Sequence, residues 1–322
     1  MNKKIALTIG DPCGIGAEIV IKALEKLNLN SNEIVVIGNR KVLEYYGAGA
    51  DFFSKYEIID LPYEEKNICP GKLLKEAGDF AYRVLLETCR LAKENRIGAI
   101  VTAPTAKEAM ILAGYNFSGQ TEVLERYLAH DGQKAQMLFC SDKLNVLLLT
   151  RHIPLRRVSE YITKEMVIET ITSLHRVFTE QFLIKNPKFA LCGLNPHAGE
   201  GGFLGEEENL ILKPAAEFLR KEKIDITDPI PADALFAKIG KCVLENRKSE
   251  YDCVVAIYHD QGLIPVKMLL GKKAVNTTIG LDILRTSPAH GTAFDIAGKN
   301  IANTQSMEEA LKFACKFLNK QC

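Results

Sequence analysis

Three histidines stand out for where they fall. His152, His197 and His259 each follow an apolar, β-prone run, at residues 147–151, 191–196 and 254–258. Ligands of open α/β sheets sit at the carboxyl ends of strands, so side chains placed there are candidates for chemistry. Three imidazoles at one sheet edge can share a divalent ion and leave positions open for a substrate. Imidazole suits zinc, cobalt, nickel and iron alike, which leaves the metal open. Taken singly, each is equally an ordinary loop or capping histidine; the repeated placement is what points to a metal. His130, beside Asp131 and Gly132, and His175, inside a helical pattern, are expected to be structural or solvated.

A second cluster surrounds the third of these histidines. Tyr258, His259, Asp260, Gln261 and Lys267 put an imidazole, a carboxylate, an amide and an ammonium into ten residues, and Asn276 and Arg285 follow. Arg binds phosphate as a fork and Lys as a point charge. Surface ion pairs are the plainer reading of Lys267 or Arg285 alone. The run 195–208 is Gly-rich and acidic and leads into a helical pattern. Acidic residues suit a helix start, and a solvated loop would look the same. Gly10, Gly14 and Gly16 follow a strand and open a helix. Their spacing is Gly-x-x-x-Gly-x-Gly, which is not the dinucleotide fingerprint Gly-x-Gly-x-x-Gly. This turn is read instead as one that packs against the active cleft.

The elements that must position these groups alternate. Short apolar runs at 5–9, 34–38, 99–102, 146–150, 189–192, 253–258 and 274–277 read as strands covered on both faces. Helical patterns lie between them, at 17–27, 73–94, 164–179, 207–221, 234–246 and 307–318. This alternation predicts an α/β fold with a largely parallel sheet.

The bulk composition excludes other classes. The chain has 322 residues, 47% hydrophobic and 25% charged, with 41 basic against 40 acidic side chains. That length allows two domains. A near-neutral balance gives no reason to expect nucleic acid or an anionic membrane as partner. Nine cysteines, an odd count that includes Cys322, contain no Cys-x-x-Cys. This argues against a disulfide framework or zinc ribbon and for a reducing, cytoplasmic setting. The apolar run after Met-Asn-Lys-Lys is five residues, too short for a signal peptide. No run approaches the 18 apolar residues of a membrane span.

The motifs together resemble the 4-hydroxythreonine-4-phosphate dehydrogenase family. They are Gly10-Asp11-Pro12 with Gly14-Ile15-Gly16 and Glu18; Thr102-Ala103-Pro104 with Lys107; Asn195 to Glu200; Tyr258 to Pro265 with Lys267; and Arg285-Thr286-Ser287 with His290 to Ala293. They run in the family's order over nearly the whole chain. The resemblance implies two α/β/α domains with an interdomain cleft, like isocitrate and isopropylmalate dehydrogenases. It implies a cofactor-side domain of about 1–125 plus 285–322, and a metal, substrate and dimerisation domain of about 126–284. The family's metal-binding histidines fall on His152, His197 and His259, with one divalent ion (Zn, Mg, Mn or Co) completed across the interface of a homodimer. Its substrate-binding positions fall on Gln120, Thr121, Lys267, Asn276 and Arg285.

The segment 290–303 is similar to the adenosine loop of the isopropylmalate and isocitrate enzymes. It marks His290, Gly291, Thr292, Ala293, Asp295 and Asn303 as contacts for NAD or NADP. The implied reaction oxidises 4-phosphooxy-L-threonine to a β-keto acid that loses CO2 to give 3-amino-2-oxopropyl phosphate, in pyridoxal 5'-phosphate biosynthesis. Asp233 and Asp260 are the candidate bases. Two positions depart from the family: Gln120 replaces a histidine that contacts substrate, and Ala289 replaces an aspartate. Gln120 still donates and accepts hydrogen bonds but cannot become cationic. The alternatives are a dehydrogenase of threonate or erythronate phosphate, and a non-catalytic binding protein or acyl-phosphate transferase on the same fold. An isopropylmalate-type enzyme would hold its metal with aspartates.

Overall fold

A computed structural model describes residues 3–321. Met1, Asn2 and Cys322 lie outside the described residues. The chain divides into two compact units: residues 1–135 with 275–322, and residues 136–274. Strands β1 (Lys4–Thr8), β2 (Ile34–Gly38), β3 (Glu57–Asp60) and β4 (Ile97–Thr102) belong to the first unit. The second unit holds β5 (Gln136–Cys140), β6 (Val146–Leu148), β7 (Lys188–Leu191), β8 (Asp225–Ile226) and β9 (Cys253–Ala256). The chain then returns to the first unit with β10 (Val275–Ile279) and β11 (Leu284–Pro288).

In the first unit the strand order is β3-β2-β1-β4-β11-β10. All neighbours are parallel except β10, which runs antiparallel to β11. Every residue of β2 and β11 is buried. The helix Lys75–Lys93 buries Ala77, Phe80, Ala81, Val84 and Leu85, the three-and-four spacing of one apolar face. The last helix, Gln305–Gln321, packs on β11, and its Ala310 carbonyl accepts from the buried Thr286 hydroxyl at 3.0 Å. In the second unit the order is β5-β6-β9-β7-β8, parallel except for β5. Helices Lys164–Arg176 and Lys213–Lys221 pack together there, and each adjoins a π-turn, Val177–Gln181 and Glu208–Leu212.

The seven expected strands and six expected helices are present, with ends moved by a few residues. Four strands lack an expectation: β3, β5, β8 and β11. Strand β11 reads Leu-Arg-Thr-Ser-Pro, too polar to announce a buried strand. The expected strand over 253–258 ends at Ala256, because the chain bends at Ile257 and Tyr258 into the helix His259–Leu270. Gly262 and Pro265 lie inside that helix and disguise it. Among the described residues no helix is long and apolar enough to cross a membrane. The eight described cysteines are all free.

Asp11 ends the turn after β1 and is buried. Burial raises its carboxyl to about 6, against the pull of N–H groups from Cys13 and Ala106. A folded pKa above the unfolded 3.8 means the native state holds the proton more tightly. That advantage is full below pH 3.8 and is lost as pH rises through about 6, a cost of order 3 kcal/mol at neutral pH. Asp11→Asn is therefore expected to raise the thermal unfolding midpoint at pH 8 by about 3 °C or more. The gain should vanish near pH 4; equal gains at both pH values would refute the assignment.

Candidate active site

In the second unit, β6, β9 and β7 are neighbours and run parallel, so the segments that follow them leave at one sheet edge. His152 lies in the segment after β6, His259 opens the helix after β9, and His197 lies in the loop after β7. The rings of His152 and His259 stand 5.6 Å apart between centroids, tilted by 43°. Asp260 Oδ1 lies 2.6 Å from His259 Nδ1. A carboxylate on one ring nitrogen fixes the tautomer that leaves the other available to a metal. These two imidazoles fit a divalent ion in their chemistry. Among the described residues, however, no group of three or more His, Cys, Asp or Glu side chains can hold a metal. His152 and His259 stand side by side, and His197 follows the neighbouring strand β7.

His197 sits in an unusual backbone. Five consecutive residues, His197 to Gly201, have left-handed helical dihedrals, with φ of 53, 53, 78, 43 and 70°. His197, Ala198 and Glu200 carry side chains, and each such residue costs about 1–2 kcal/mol there. Gln261 ties this loop to the helix of His259. Its Oε1 accepts from Ile257 N–H at 2.6 Å, and its Nε2 donates to the Gly193 carbonyl at 2.7 Å. Lys267, two turns further along that helix, is exposed, and so is Asp233 in the first turn of the helix Ala232–Leu244.

In the first unit the β10–β11 hairpin builds a second cluster. Thr278 pairs with Arg285, and Asn276 with Ser287, across the antiparallel ladder. Such pairs project from the same face. Arg285 is 5% exposed. Its Nε and Nη2 donate to Thr102 Oγ1 at 2.9 and 2.6 Å, Nη1 to Thr278 Oγ1 at 3.3 Å, and Nη2 to Gln120 Oε1 at 2.9 Å. Gln120 in turn donates from Nε2 to the Ala103 carbonyl and to Thr105 Oγ1, both at 2.9 Å. Thr121 Oγ1 lies 3.5 Å from Thr278 Oγ1. Burial brings the guanidinium down to about 10, with Glu122 nearby acting the other way. All the bonded acceptors are neutral. A buried cation without an anion is costly, so this cluster suits an anionic group. Asn276 Oδ1 is a buried acceptor without a partner.

The segment between β11 and the last helix is irregular and packs on the turn after β1. Ile15 N–H donates to the Thr292 carbonyl at 3.0 Å, and a Cβ on Gly14 would meet Thr292 Cβ at 3.0 Å. The glycine turn thus packs against Thr292 at Gly14 and Ile15, not as an open phosphate cradle. Glu18 Oε1 accepts from Ala302 N–H at 2.8 Å and from Lys22 Nζ at 2.7 Å. His290 and Asp295 are exposed, with Gly291 beside His290 and Ala293 at φ 46°. Asn303 Oδ1 accepts from Gln305 N–H at 3.1 Å at the start of the last helix.

Sequence reasoning missed Thr102, Thr105 and Thr278 as partners of the Arg285 cluster, and Gln261 and Glu208 around His197. The Thr residues lie inside strands or beside them, where β-branched side chains raise no chemical signal.

These features define a class: an α/β protein of two units, with polar side chains gathered at the carboxyl ends of strands in one unit and around a buried arginine in the other. The chain belongs to the family described as pyridoxal phosphate biosynthetic protein PdxA, whose model matches residues 9–314. It is 39% identical over 323 residues to 4-hydroxythreonine-4-phosphate dehydrogenase of Sulfurihydrogenibium sp. (strain YO3AOP1), covering 97% of both chains. It is also 39% identical over 331 residues to D-threonate 4-phosphate dehydrogenase of Salmonella typhimurium, covering 97% of this chain and 98% of that protein. The crystal structure of 4-hydroxythreonine-4-phosphate dehydrogenase from Klebsiella pneumoniae matches with a TM-score of 0.86 at 35% identity, covering 99% and 98% of the two chains.

Proposed function

We propose that this chain is an NAD(P)- and divalent-metal-dependent dehydrogenase that oxidises 4-phosphooxy-L-threonine, with decarboxylation of the β-keto acid to 3-amino-2-oxopropyl phosphate, in pyridoxal 5'-phosphate biosynthesis. The observation that carries this reading is Arg285, a buried guanidinium bonded only to neutral oxygens, in a chain of the PdxA family. Arg285, Gln120, Thr121 and Asn276 hold the substrate, with Lys267 adding charge. Fixing the phosphate orients the carbon to be oxidised.

His152, His197 and His259 hold the metal, with the trio completed between two copies of the chain in a homodimer. A bound divalent ion supplies Lewis acidity toward a hydroxyl. His259 is kept in one orientation by Asp260. Of the two candidate bases Asp260 is therefore committed to the imidazole, and Asp233 remains. His290, Gly291, Thr292, Ala293, Asp295 and Asn303 form the adenosine side of the nicotinamide cofactor site. The free cysteines support a reducing, cytoplasmic setting.

The second reading is oxidation of a four-carbon sugar-acid phosphate. Two observations favour it: a D-threonate 4-phosphate dehydrogenase is as similar as the first relative, and Gln120 replaces the family histidine. NADH or NADPH formation, followed by absorbance with and without added divalent metal, separates the two. The expected result is a kcat/KM for 4-phosphooxy-L-threonine roughly tenfold or more above that for D-threonate 4-phosphate. The reverse ratio would establish the second reading, and no turnover of either would sink both.

A further inference from the structure

A strained backbone persists only where its surroundings over-determine it, and the left-handed run from His197 to Gly201 is therefore held by something. What lies beneath it is a carboxylate. Glu208 is 1% exposed. Its Oε1 accepts from Asn195 N–H at 2.7 Å and its Oε2 from Asn195 Nδ2 at 2.9 Å. Glu207 Oε2 accepts from the same Nδ2 at 2.7 Å. The Asn195 carbonyl then accepts from Ala198 N–H at 3.1 Å, closing the first turn of the run.

The space is as specific as the bonds. A Cβ on Gly199 would stand 2.7 Å from Glu208 Oε2, and one on Gly205 would stand 2.3 Å from Asn195 Nδ2. The backbone rests directly on the clamp, and only glycine permits that approach. No lysine or arginine pairs with Glu208 among the described residues. The carboxylate is instead met by N–H donors, from a π-turn, Glu208–Leu212, that opens its helix. Such turns recur at functional sites. A helix cap needs none of this burial.

We propose that Glu208 is a positioning residue: through Asn195 it fixes the left-handed turn and so aims the His197 imidazole for metal binding. This rests on the reading of His197 as a metal ligand. The carboxylate touches neither metal nor substrate, and it acts by removing alternative conformations of the loop. Outer partners of metal ligands typically carry 10–100-fold in affinity.

The test compares the full-length wild type with Glu208→Gln, Glu208→Asp and His197→Ala, using zinc titration against a competing chelator. In Glu208→Gln the new Nε2 faces the Asn195 donors, so one bond of the clamp is lost while the volume is kept. The zinc Kd is expected to rise about tenfold or more, kcat to fall, and KM for the dinucleotide to stay within about twofold. Glu208→Asp, which keeps the charge, is expected to recover part of the affinity. A merely structural role would lower the unfolding temperature and leave the zinc Kd alone. Should Glu208→Gln fail to fold, Asn195→Ser cuts the same clamp from the other end. A wild-type zinc Kd in the folded variant overturns the proposal. If His197→Ala also binds zinc like wild type, the metal reading itself has failed. If His197→Ala loses zinc and the clamp variant does not, only the role of Glu208 has failed.

Discussion

His259→Ala and His197→Ala are expected to abolish turnover while leaving a folded chain. Disturbing only the outer partner of a metal ligand costs about 10–100-fold, so removal of the ligand should cost more than about 100-fold in kcat. Folding should survive, because His197 lies on the surface and His259 is only half-buried. Neither contributes to the core of the second unit, where Val254, Val255 and Ala256 of β9 are buried. The loss should be mirrored by a chelator in the wild type and reversed by adding back metal. Far-ultraviolet circular dichroism and size-exclusion elution, measured on the same samples, check that the variants are intact. Wild-type turnover in either variant, or in chelator-treated protein, would remove the metal from the mechanism.

The second large effect concerns the buried arginine. Arg285→Ala is expected to raise KM for a phosphorylated substrate by about 10–100-fold, the span of a lost charge-assisted hydrogen bond. KM for the dephosphorylated analogue should move far less, since that molecule offers no charge to the site. The variant also leaves Thr102 and Gln120 without the donor they share, so a fall in unfolding temperature is expected. Arg285→Met fills more of the volume and separates packing from charge. Equal changes in KM for both substrates would refute the phosphate role.

Much of this arrangement was legible in the residues. The three strand-end histidines follow from apolar runs at 147–151, 191–196 and 254–258, because strands buried on both faces announce themselves by continuous apolar sequence. Refusing the dinucleotide fingerprint at Gly10–Gly16 agrees with Thr292 closing over Gly14. The hidden parts share one cause: their signals are carried by tertiary neighbours. Arg285 reads in sequence as a candidate phosphate ligand, but its burial does not show there, because it comes from β11 lying between β4 and β10. Gln261 and Glu208 lie in segments the sequence marks, but their partners do not show there: Gln261 bonds a loop 68 residues away and Glu208 the far side of a turn. The helix from His259 was masked by Pro265, whose missing donor is tolerated once the helix packs.

The first unit is assembled from both ends of the chain, and this has a consequence during synthesis. When residue 135 leaves the ribosome, β1 to β4 exist but their sheet lacks β11 and β10. The edge of β4 then offers unpaired amides and carbonyls, which invite pairing with another nascent chain. Translation of the intervening 136–274 takes on the order of ten seconds. In that interval β5 to β9 can pair among themselves, whereas β4 waits for β11 to cover its edge. Vectorial folding thus reverses chain order here, and premature termination anywhere before Leu284 would leave the N-terminal third as the aggregation-prone part.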